Sequence, residues 1–170
     1  MTPAENVLGN FEKWVLMPLK ADIENPDRNH FNGFILLSVV IDNMASMRYR
    51  GEYPDMEPGN IKHRYKKFIE NYFPIQYKHL SNKLYRGFRC ELVHAFQLSG
   101  FDIQQGEIAR KYHLKRVKSG ALCLHSEELL RDVLEAYARL KSELIGEKAK
   151  PEVIEAFNLG NYRGWAHAEV

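Results

Sequence analysis

Cysteine is scarce in this chain of 170 residues, and it has no long apolar run. The two cysteines, Cys90 and Cys123, are too few for a disulfide framework; in a reducing compartment they stay thiols and are expected to pack rather than react. The most apolar stretch, residues 34–47, is broken by Ser38, Asp42, Asn43 and Ser46 and falls short of the ~20 residues that span a bilayer. No membrane span and no membrane partner are expected. Met1-Thr2-Pro3-Ala4-Glu5 has no basic lead followed by an apolar stretch, so no secretory signal is read and a cytoplasmic location is expected. A Gly-rich phosphate loop, a nucleophile elbow and a His-Glu-x-x-His metal motif are also missing, which removes support from several common enzyme classes. There is no internal repeat and no low-complexity segment.

What is present is ordinary globular material. Hydrophobic residues make up 45% and charged residues 27%, which excludes disordered and fibrous classes. One helical domain over residues 1–160 is expected, followed by an aromatic tail, 161–170, whose Tyr162 and Trp165 either dock on the body or mediate self-association. The net charge of +2 is unevenly spread: residues 58–118 hold thirteen Lys and Arg against four Asp and Glu, and both flanks are acidic. Such a basic middle meets either an anionic partner or the chain's own acidic ends.

The apolar spacing predicts a mainly α fold, an antiparallel bundle of four to five helices. Thr2-Pro3-Ala4-Glu5 reads as a capping box opening a helix to Leu19, with Phe11, Trp14, Val15 and Pro18 as its apolar stripe. A central helix over 29–47 is apolar around most of its circumference. The third, 58–72, buries Ile61, Tyr65, Phe68 and Tyr72; the fourth runs over 78–98 to Gly100. Residues 110–125 alternate in polarity around Ser119-Gly120 and predict a small antiparallel β-hairpin. A long fifth helix from Ser126 to Ile145 and a short one over 151–157 follow.

The segment 84–96, Leu-Tyr-Arg-Gly-Phe-Arg-Cys-Glu-Leu-Val-His-Ala-Phe, carries most of the chemistry. At about 100° per residue its apolar side chains share an arc of about 160°, with Arg89 just past one edge, His94 past the other, and Glu91 inside. A carboxylate in an apolar arc must find a partner, because an unpaired buried charge costs several kcal/mol. Glu91 is therefore expected to be paired. Asp42 on the central helix poses the same problem, so an ionic contact between these helices is expected: Asp42 with Arg89, or Glu91 with an arginine, Arg86 being the other candidate.

Arg89 followed after four residues by His94, on a helix of a small bundle, resembles the Arg-x4-6-His signature of the HEPN superfamily, which includes metal-independent ribonucleases and nucleotide-binding toxin or antitoxin partners. The resemblance implies that Arg89 holds a scissile phosphate and His94 transfers protons as a sugar hydroxyl attacks. Both roles suit the groups: a guanidinium grips phosphate oxygens at two points, and an imidazole exchanges protons near neutral pH. Where the family often has Asn, Asp or His after the arginine, this chain has Cys90. More broadly, residues 35–96 resemble a group of small uncharacterised bacterial proteins found in mobile or environmental DNA, from which no activity follows.

Two other constellations compete. His113, Cys123 and His125 converge for zinc only if the hairpin loop has three residues; the hydrophobic alternation favours a two-residue loop and solvent-facing side chains, so no metal is expected. Lys62, Arg64, Lys66, Lys67 and Lys83 would form an anion-binding surface for a nucleic-acid backbone, or simply a solvated face. The leading expectation is a HEPN-like domain binding RNA or nucleotide, without a cofactor, as a homodimer, with catalysis left open. The alternative is a non-enzymatic homodimeric interaction protein in which Asp42, Arg89, Glu91 and His94 only staple the bundle.

Overall fold

The computed structural model describes residues 2–159 apart from 29, 56, 96 and 147, and of 95 and 159 the backbone only. The tail with Tyr162 and Trp165 lies outside the described residues, as does Phe96. The chain is mainly α, with one small two-stranded sheet.

Helix α1 covers residues 3–23 as two α-helical stretches, Pro3–Phe11 and Met17–Ile23, joined by the π-helical turn Glu12–Leu16. Its capping box is formed: Glu5 N–H donates to Thr2 Oγ1 (3.2 Å), and Thr2 N–H donates to Glu5 Oε2 (2.6 Å). The helix does not stop at Leu19. In an α-helix the Pro18 ring would meet the carbonyl four residues back, and the widened turn before it, in which Met17 N–H reaches Glu12 O, relieves that clash. The extra residue also shifts the buried face. Ala4, Leu8 and Phe11 are followed inward by Leu16, Leu19 and Ile23, and the expected stripe residue Trp14 is 57% exposed.

Helix α2, His30–Tyr49, lies at the centre and packs against helices on several sides. Phe34, Leu37, Val40, Ile41, Met44 and Ala45 are all sealed, whereas Leu36 and Val39 face outward. Helix α3, Asn60–Tyr72, buries Tyr65, Phe68, Ile69 and Tyr72. A 3-10 turn, Ile75–Leu80, leads into α4 over residues 81–95: Ser81–Lys83, the π-helical stretch Leu84–Cys90, and Glu91–Ala95. This helix starts later and ends earlier than its apolar pattern suggests. Its core contacts Leu84, Phe88 and Leu92 recur every four residues, a spacing that suits the wider turn. Gly87 is required there, because a Cβ would stand 2.5 Å from the Ser99 carbonyl oxygen.

The expected antiparallel hairpin is corrected. Strand β1, Phe101–Gln104, pairs in parallel with β2, Leu122–His125, and the short helix α5, Glu107–Arg110, lies between them in sequence. Residues 114–117 still bond back, through Leu114 N–H to Cys123 O (2.8 Å) and Val117 N–H to Ala121 O (2.9 Å), but only one antiparallel bridge, Arg116 to Leu122, forms. All four residues of β2 are buried, as in a strand covered on both faces, so polarity alternation was a poor guide to its partner. Helices α6, Ser126–Leu144, and α7, Pro151–Leu159, complete the body. Among the described residues no helix is long and apolar enough to cross a membrane.

Candidate functional site

Helices α2 and α4 bring Asp42, Arg89 and His94 together. Arg89 donates to Asp42 Oδ2 from Nε (3.2 Å) and from Nη2 (2.7 Å), with side-chain exposures of 18% and 24%. Both side chains are largely withdrawn from water, so each charge relies on the other for compensation. Arg89 Nη1 lies 3.2 Å from Nε2 of His94, which is exposed. The two positions diverge in direction along the helix, and the long arginine stem spans the difference. A guanidinium only donates, so His94 Nε2 must accept and the ring proton sits on Nδ1. The arrangement therefore places a lone pair able to take a proton beside a cation able to hold an anion.

Three more side chains surround the pair. Tyr85 stands with its ring centroid 5.9 Å from the Arg89 guanidinium carbon and 5.7 Å from the Tyr65 ring, edge to face. Tyr65 is fully buried, and its hydroxyl has no hydrogen-bond partner among the described residues. Burial pushes its pKa well up, Asp42 adds to that, and Arg89 opposes. Cys90, next to Arg89 in the chain, is a half-buried free thiol. Burial works against the Arg89 charge, but the Asp42 carboxylate outweighs it and raises the guanidinium pKa.

The other expected residues do not join this cluster. Glu91 is only half-buried and has no ion pair among the described residues; the four-residue spacing of Leu84, Phe88 and Leu92 turns it away from the core. Arg86 is exposed and likewise unpaired. Arg64 is buried, not an outward cation, and donates to Tyr53 O (2.6 Å) and Asp55 (2.5 Å). Lys67 is held by Glu52 (3.0 Å) and Tyr53 Oη (3.1 Å). Lys83 lies 5.0 Å over the Phe101 ring, and burial together with Arg116 lowers its pKa. Lys62 and Lys66 are half-buried without an ion pair among the described residues.

Sequence reasoning missed a second polar centre. His125 N–H donates to His113 Nδ1 (3.0 Å), so the proton of the neutral His113 ring sits on Nε2 and points at Tyr77 Oη (2.8 Å); Tyr77 in turn donates to Asp132 Oδ2 (2.6 Å). Asp132 also accepts from Arg131 (3.1 Å). Burial alone would push the Asp132 carboxyl up, but its contacts with His113, Tyr77 and Arg131 hold it below the usual range. The only signal in the sequence was Asp132 itself, a charge on the buried face of α6. With both His113 nitrogens engaged and His125 Nε2 on Gly106 O (2.9 Å), these imidazoles do not gather around a common point with Cys123. No metal-binding group occurs among the described residues.

Comparison with protein-family models, with curated proteins and with solved structures gives no match to this chain. Its function must be argued from these residues.

Proposed function

We propose that the chain is a HEPN-like domain that binds RNA or nucleotide phosphate at Arg89 and acts, as a homodimer, as a metal-independent ribonuclease. The observation that carries this reading is the solvent-facing Arg89 Nη1 to His94 Nε2 contact of 3.2 Å. An anionic phosphate draws the guanidinium's free edge, while Asp42 keeps hold of the Nε edge. That movement frees the His94 lone pair, which takes the proton of a ribose 2′-hydroxyl as its oxygen attacks phosphorus. The bond to the 5′-oxygen breaks, and that oxygen takes a proton from water, leaving a 2′,3′-cyclic phosphate and a 5′-hydroxyl. Support for a second copy comes from Trp14, Met17, Leu36 and Val39, large apolar side chains left exposed on α1 and α2.

A second reading is favoured by the Asp42–Arg89 pair: a non-enzymatic interaction protein in which this cluster ties α2 to α4. Incubation with labelled single-stranded RNA, with and without EDTA, separates the two. The ribonuclease reading expects cleavage that EDTA does not alter and that Arg89→Ala and His94→Ala each abolish. Intact RNA, and no binding at low salt, leaves the tie between helices.

A further inference from the structure

Under α5 the strand pair turns one face into a cavity of about 490 Å³. In a parallel ladder paired residues project to the same side and alternate residues share a face. The register Asp102 to Cys123 and Gln104 to His125 therefore places these four side chains on one face. Asp102, Gln104 and Cys123 line the cavity, and Ile108, Tyr112 and Val117 form its apolar wall; among the described residues no lysine or arginine lines it. Ile108 is 84% exposed and Tyr112 45%, an apolar lip left uncovered among the described residues.

The polar groups on this face accept hydrogen bonds and scarcely donate. Asp102 takes one bond from Gln104 Nε2 (2.9 Å) and has no ion pair among the described residues, which leaves Gln104 Oε1 and most of the carboxylate free to accept. His125 is fully buried. Its Nε2 faces the Gly106 carbonyl oxygen, an acceptor, so Nε2 carries the proton and Nδ1 holds a lone pair, for which there is no hydrogen-bond partner. Burial and Asp102 both raise the Cys123 pKa, keeping it a neutral thiol. Glu107, at the rim, is held by Arg110 (3.2 Å). The face of the Tyr112 ring already draws one cation, Lys111 Nζ at 5.1 Å.

We propose that this cavity binds a small organic cation, a guanidinium or primary amine on a short carbon chain. Asp102 is its counter-ion, Tyr112 covers the charge, and Gln104 Oε1 receives an N–H donor. A guanidinium supplies five such donors in one plane and stacks on aromatic rings. The site stands apart from Arg89 and does not depend on the reading given for it.

The test is a titration of the full chain with butylguanidinium, followed by calorimetry, against butylurea as its uncharged counterpart. Saturable binding near ~1 mM, the affinity expected of so small a ligand, is predicted. Asp102→Asn should weaken binding about tenfold with the melting temperature unchanged, and Val117→Trp, which fills the cavity, should abolish it. Failure to saturate, equal binding of butylurea, or wild-type binding by Asp102→Asn would each overturn the proposal.

Discussion

Two histidines, each near an aspartate, stand in opposite surroundings. His94 is exposed, and among the described residues its side-chain hydrogen-bond partner is Arg89, which Asp42 holds from the other edge. His113 is sealed, side chain 9% exposed, between a backbone N–H and a tyrosine whose hydroxyl passes on to an aspartate of 2% exposure. The chemical parts are nearly the same, and access divides them. A saturated, buried chain of donors fixes how elements pack, because each member lost leaves another unpaired in a medium that cannot replace it. An exposed pair has water as an alternative, so it contributes little to stability and stays available to a ligand.

Substitutions should separate the two regions by the size of their effect on stability. Asp132→Ala removes the acceptor at the end of the buried chain and should cost about 3 kcal/mol, a fall in Tm of roughly 10 °C by calorimetry. Tyr77→Phe deletes only the hydroxyl between His113 and Asp132, and about 1.5 kcal/mol is expected from urea unfolding. Arg89→Ala leaves Asp42 near water and should cost about 1 kcal/mol at most, and His94→Ala less than about 0.5 kcal/mol. Comparable losses from His94→Ala and Tyr77→Phe would erase the distinction.

pH sharpens the same contrast. The carboxyl of Asp132 has its pKa lowered in the folded protein, so its stabilisation is present above the unfolded value of about 3.9 and is lost as pH falls through the folded one. The fall of stability with acid should therefore be shallower in Asp132→Asn, which has no carboxylate there to protonate. The tyrosine has the opposite sign. Its hydroxyl is pushed well above its ordinary value by burial and Asp132, so stability is present below about pH 10 and is lost as pH rises beyond it. Tyr77→Phe should flatten that alkaline limb.

How much of this was legible follows from the distances involved. The central and long helices could be read because α2 and α6 keep their apolar pattern over 20 and 19 residues. The Asp42–Arg89 contact could be argued because a charge on an apolar helix demands a partner. The π-helical turns could not: one extra residue changes which face is buried, and it sent Trp14 outward and Glu91 away from the core. The sheet was misread because β2 pairs with a strand on the far side of α5, while its own alternation suggested a local hairpin. The His113 chain joins three separate segments by single hydrogen bonds, and no local pattern marks such a meeting.

The most direct test of the Arg89–His94 account is anisotropy of a labelled single-stranded RNA whose 2′-hydroxyls are methylated, so that it binds but cannot react. The account predicts that Arg89→Ala loses binding at low salt, while His94→Ala binds this RNA like the wild type and fails only to cleave the unmodified one. Equal binding by all three proteins, or an equal loss in both variants, would contradict it.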